Sequence, residues 1–199
     1  MIDTISFRRN LPVGAVGHRA LGWWGMWMLI ATEAALFAYL LFSYFYLLSQ
    51  SQNIGLPATP PSLRLALPNT FILIGSSLIL WWGERGMRRG RMMRQLAALG
   101  LALALGVIFM AVQGEEWRNK TFSITEHAYG SLYFTVTGFH MLHVLGGALM
   151  LAALFVWTAL GHFNAERNAP ITIGALYWHF VDAVWLTIFG SFYLYPYLL

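Results

Sequence analysis

Apolar residues gather in five long runs, separated by stretches rich in proline or charge: residues 21–48, 65–83, 95–113, 129–160 and 171–197. A helix needs about 20 mainly apolar residues to cross the hydrocarbon core of a bilayer. Lipid satisfies no backbone N–H or C=O, so a spanning segment is either a helix or a strand of a closed barrel. Barrel strands alternate apolar and polar residues over about ten positions. The runs LALALGVIF (101–109) and LGGALMLAALF (145–155) are continuous instead. The pattern therefore predicts an all-α fold, a single membrane domain over 1–199 built as a bundle of five transmembrane helices.

The connections set the expected orientation. Of the 12 Lys and Arg residues, nine lie in the N-terminal tail (Arg8, Arg9, Arg19), the second connection (Arg85, Arg88, Arg89, Arg91, Arg94) and the fourth (Arg167). Arg64, Arg118 and Lys120 fall in the first and third. Cytoplasmic loops carry the excess of Lys and Arg, which puts the N-terminus inside and the C-terminus outside. The Arg85–Arg94 cluster reads as a topology and lipid-headgroup signal. It is too short, and too closely flanked by spans, to suit nucleic acid. The first connection, with Pro57, Pro60 and Pro61, suits a loop. Trp23, Trp24, Trp27, Trp81, Trp82, Tyr193, Tyr195 and Tyr197 sit near span ends, where rings with one polar atom favour the headgroup level. They are expected to be interfacial anchors.

Composition sharpens this picture. Residues are 58% hydrophobic and 10% charged, against about 25% charged in soluble domains. The net charge is +4, carried at the span ends. Cysteine is absent, which excludes disulfides, iron–sulfur clusters and thiolate copper or zinc sites. The first run is too long for a signal peptide and is expected to stay in the membrane.

Few ionisable residues fall inside the runs: Glu33, His140, His143, His179 and Asp182. A charge at mid-bilayer costs at least about 2.5–3.5 kcal/mol on insertion scales, so each calls for a partner or a purpose. Glu33 lies about 18 Å into the first span at 1.5 Å per residue. It is either a proton-linked or lipid-cleft carboxyl, or a neutral acid hydrogen-bonded across a helix interface. His140 and His143 share one helix face, as do His179 and Asp182. These four are expected to make polar contacts between the fourth and fifth spans, with Gly138, Gly146 and Gly147 allowing close approach. A metal or heme site is the competing reading. Neither the Glu-x-x-His pairs of di-iron bundles nor a His-Glu-x-x-His motif occurs, so no metal is assigned to the chain.

Several strings resemble one family. YWHFVDAVWLTIFGSFY (177–193) is similar to the last helix of subunit III of the heme-copper terminal oxidases, and YGSLYFTVTGFHMLHVLGG (129–147) to its Y-G-S…T-G-F-H-G-L-H-V segment. ATEAALFAYLLFSYFY (31–46), LPNT (67–70) and QGEEW…FSI (113–124) match in order. The resemblance implies a carbodiimide-reactive, lipid-cleft glutamate at Glu33. It places the family's paired histidines at His140 and His143, its Trp-His…Asp segment at Trp178, His179 and Asp182, and its extramembrane acid at Glu116, which is also expected to make an interhelical polar contact. It further implies a subunit without a redox centre of its own. Such a subunit stabilises the catalytic subunit, binds phospholipid and supports proton uptake. Heme and copper are then expected in partner subunits I and II, in the inner membrane of a bacterium. Two departures stand out. The two extra helices of seven-helix members have no counterpart here, and Met141 replaces the usual Gly between the histidines.

The residues themselves agree with an accessory role. A copper-carrying subunit needs cysteines and there are none; of six histidines, His18, His127 and His162 lie at or beyond span ends. A quinol oxidase subunit III and a nitric oxide reductase accessory subunit are related alternatives. A membrane heme b protein ligated by His143 and His179, or an independent proton channel around Glu33, are alternatives of a different class.

Overall fold

A computed structural model describes residues 21–50, 61–163 and 168–198. Arg8, Arg9, His18, Arg19, Pro57, Pro60, Glu166 and Arg167 lie outside the described residues. The chain forms α1 (Leu21–Gln50), α2 (Leu63–Met87), α3 (Met92–Arg118), α4 (Ala128–Ala159) and α5 (Ala169–Phe189). The last continues as a π turn (Gly190–Leu194) and a 3-10 turn (Tyr195–Tyr197). All five helices are long and apolar enough to cross a membrane, and no strand occurs among the described residues.

The second and third helices run several residues beyond the expected 65–83 and 95–113. Apolar runs mark only the hydrocarbon layer, while backbone hydrogen bonding carries on into the headgroup region. The Ser62 hydroxyl accepts the Arg64 N–H at 3.3 Å and caps α2. His127 does the same for α4, its Nδ1 accepting the Gly130 N–H at 2.9 Å.

The helices α2 and α3 form a tight antiparallel hairpin. Gly90 turns the chain with φ +74°, a left-handed conformation that favours glycine. Close approach follows at Gly83, where an added Cβ would collide with Ala98, and at Gly86, where it would meet Arg94. Next to this hairpin lies α4, which packs on α3 and α5, while α1 lies outermost against α5 and α4. Helix α5 is the hub, in contact with α1, α2 and α4. Half of its membrane-crossing window is buried, against 17% for α1. Trp178 and Trp185 of α5 are fully enclosed.

Candidate functional site: polar pairs inside the bundle

Glu33 of α1 meets His143 of α4, with Oε2 and Nε2 3.0 Å apart. The other ring nitrogen, Nδ1, lies 2.7 Å from the Phe139 carbonyl. A carbonyl only accepts, so Nδ1 carries a proton. One proton then remains for Nε2 and the carboxyl to share. The pair is a neutral acid beside a neutral imidazole, or a carboxylate beside an imidazolium, and in both forms its net charge is zero. Phe37 covers the His143 ring edge-on at 5.0 Å, and the Tyr177 hydroxyl donates to the His143 carbonyl at 3.4 Å. Both members stay partly open, with 27% of the Glu33 side chain and 15% of the His143 side chain exposed. An apolar groove of about 270 Å³ opens one turn further along, lined by Ala34, Phe37 and Ala38 of α1 and Phe180 and Ala183 of α5.

The other histidines and Asp182 were expected to link α4 with α5, and the structure directs them elsewhere. Ser77 of α2 donates its hydroxyl to Asp182 and lies 2.8 Å from His179 Nδ1. On the same seam the Trp178 indole donates to Ser76 and the Trp185 indole to Thr70, both at 2.9 Å. Trp178, Asp182 and Trp185 recur at i, i+4 and i+7 and so share one face of α5. Thr70 and Ser77 repeat the seven-residue step on α2. Ser76, Thr70 and Ser77 went unnoticed in the sequence because small hydroxyl residues in an apolar run look like packing. The seven-residue spacing of Thr70 and Ser77 was the available signal. His140 makes no hydrogen bond among the described residues. Its ring stacks on Trp185 at 5.1 Å and meets Phe109 edge-on at 5.9 Å.

Glu116 lies within α3 rather than in a connection, and it is buried. Tyr193 donates to its Oε1 at 2.7 Å, and Lys120 Nζ lies 2.8 Å from the same oxygen. Tyr133 sits 2.8 Å from the Tyr193 hydroxyl. This corrects the reading of Tyr193 as an interfacial anchor: its side chain is fully buried. Its partner Glu116 is a carboxylate that no span-end argument places next to it. Trp24 and Trp27 are exposed, as anchors are. Trp81 and Trp82 lie under guanidinium groups, Arg85 at 3.6 Å and Arg94 at 3.8 Å from the ring centres. Arg88, Arg89 and Arg91 are exposed at the α2–α3 turn.

No three His, Asp or Glu side chains converge as a metal site among the described residues. Both His143 nitrogens are engaged, which weighs against its serving as a heme ligand.

A family model described as cytochrome c oxidase subunit III matches residues 16–197 of this chain. Among similar curated proteins is cytochrome c oxidase subunit 3 of Myxine glutinosa, 33% identical over 177 residues, or 85% of this chain and 68% of that protein. The Hippopotamus amphibius protein of the same name is 32% identical over 192 residues, or 92% and 72%. That of Scyliorhinus canicula is 33% identical over 178 residues, or 85% and 68%.

Proposed function

The chain belongs to the cytochrome c oxidase subunit III family, and we propose that within its oxidase complex it serves as a non-catalytic subunit that feeds protons toward, and steadies, the catalytic subunit. Family and fold together make it a multi-pass membrane protein that assembles with other oxidase subunits. Its partners in this reading are the heme- and copper-bearing subunits I and II, which carry all the redox centres. The Lys and Arg distribution supports a placement with the N-terminus on the inner side of the coupling membrane.

The observation that carries the reading is the Glu33–His143 pair. It holds one shared proton without net charge well inside two helices of membrane-crossing length, and it remains partly open. A neutral pair avoids the cost of a lone intramembrane charge. Its one mobile proton can pass between the Glu33 carboxyl and His143 Nε2, and the partly open carboxyl is where a proton enters or leaves. The adjacent groove is lined by apolar side chains, which supports lipid binding beside the pair.

A mild-detergent pull-down followed by mass spectrometry and a heme assay tests the proposal. Co-purification with a heme-containing subunit supports it and identifies the electron donor class. A Soret band at stoichiometric heme from this chain alone would overturn it.

A further inference from the structure

The seam between α2 and α5 leaves polar atoms unanswered, Asp182 Oδ1 inside it and a ring nitrogen of His179 at its edge. Ser77 has a single hydroxyl proton and gives it to Asp182. Its oxygen therefore accepts from His179 Nδ1, 2.8 Å away. A neutral imidazole with its proton on Nδ1 has Nε2 as an acceptor. The His179 ring bonds through Nδ1, no bond to that Nε2 is seen among the described residues, and the ring is only partly buried. Ser77 lies about 21 Å along α2 from Leu63 and His179 about 15 Å along α5 from Ala169, at 1.5 Å per residue. The acceptor therefore opens from the side of the bundle near mid-bilayer, where hydrocarbon offers no hydrogen bond. The surface around it is apolar: Phe71 and Leu78 of α2 and Leu186 of α5 are exposed.

We propose that this α2–α5 face is a docking surface for a transmembrane helix of another oxidase subunit, one that presents a hydrogen-bond donor (a hydroxyl, an amide or an indole N–H) to His179 Nε2. The inference rests on the subunit role proposed above and adds which face is used and what chemistry the partner brings. The apolar rim supplies packing. The open acceptor supplies register, since a helix displaced by one turn leaves Nε2 unpaired. The Ser77–Asp182 link holds the ring in the tautomer that the partner reads.

The test uses the assembled complex. A photoreactive benzophenone side chain is placed at Leu78 or at Leu186, with Leu149 on the outer face of α4 as the lipid-facing reference. The expected result is a protein adduct with another subunit from Leu78 and Leu186, and a lipid adduct from Leu149. In parallel, His179→Asn keeps an amide near the Nδ1 position for Ser77 and removes the Nε2 acceptor. Its retention in the complex through detergent washing should fall roughly three- to tenfold, the range of interhelical hydrogen bonds in membranes. Lipid adducts alone from Leu78 and Leu186, or equal protein adducts from all three positions, overturn the docking face while leaving the subunit role standing. Failure to co-purify with any heme-containing subunit overturns both.

Discussion

Tyr193 donates its hydroxyl to Glu116 across 2.7 Å from within a π-helical turn, not from the regular part of α5. An extra residue in a turn rotates the side chains that follow by about 100° relative to a regular helix. The break at Gly190 thus brings Tyr193 inward onto a carboxylate contributed by α3. Lys120 completes the arrangement from the end of α3, and Tyr133 reaches it from α4. Three helices are tied at one end of the bundle by one buried acid.

Removing that tie has graded consequences. Tyr193→Phe deletes a hydrogen bond to a charged group and is expected to cost about 1–2 kcal/mol. Lys120→Met leaves the Glu116 carboxylate without its cation and is expected to cost about 3 kcal/mol. Thermal melts of the two variants in detergent should show Lys120→Met the less stable. A Tyr193→Phe protein that melts with wild type would show that the hydroxyl contributes nothing net.

The glycines of α4 differ in what they permit. A Cβ on Gly147 would come within 2.8 Å of the Trp178 ring, whereas one on Gly138 would meet nothing within 4 Å. Trp178 is also pressed by Gly106 of α3, where an added Cβ would lie 2.6 Å from the ring. A rigid, fully buried indole cannot yield. Gly147→Ala should therefore destabilise by about 1–3 kcal/mol through overpacking, and Gly138→Ala should be neutral or better. Equal melting temperatures for the two would refute the wedge.

The five helices were legible because lipid imposes a length and a polarity on each span, and both are written directly in the sequence. The depth of Glu33 was readable for the same reason. Its partner was not. His143 belongs to a segment 110 residues away, and periodicity within a helix says which residues share a face but not which helix that face meets. The same gap explains Asp182, expected to turn toward α4 and found on Ser77 of α2. It also explains the small residues: Gly138, Gly146 and Gly147 looked alike, yet only Gly147 faces a ring at less than 3 Å. Glu116 makes the interhelical contact expected of it, but from inside α3 rather than from a connection. A charged residue reads as the end of a span, but a helix continues when another chain segment supplies the acid with donors.

The proposed orientation, drawn from the Lys and Arg distribution, has its own check. The chain has no cysteine, so single cysteines report their side without background. Arg89→Cys at the α2–α3 turn should react with a membrane-impermeant maleimide only from the inner side. Asn119→Cys, at the end of α3, should react only from the outer side. The reverse pattern would invert the topology.

The Glu33–His143 pair yields the most direct functional expectation. His143 Nδ1 is committed to the Phe139 carbonyl, so the pair has a single mobile proton. Glu33→Gln preserves the shape and a hydrogen bond to Nε2 but removes the exchangeable acid. The complex should then assemble with its heme spectrum intact, while proton uptake slows or activity decays sooner during turnover. Glu33→Ala leaves Nε2 unpaired in a low-dielectric setting, and a further stability loss of about 1–3 kcal/mol is expected. If both residues act as one proton seat, the Glu33→Gln and His143→Gln effects should not add in the double variant. Proton uptake followed with a pH dye in the reconstituted complex, together with turnovers completed before inactivation, measures each expectation. Loss of heme from the Glu33→Gln complex would make the residue structural. Fully additive kinetic effects would show that the two side chains act separately.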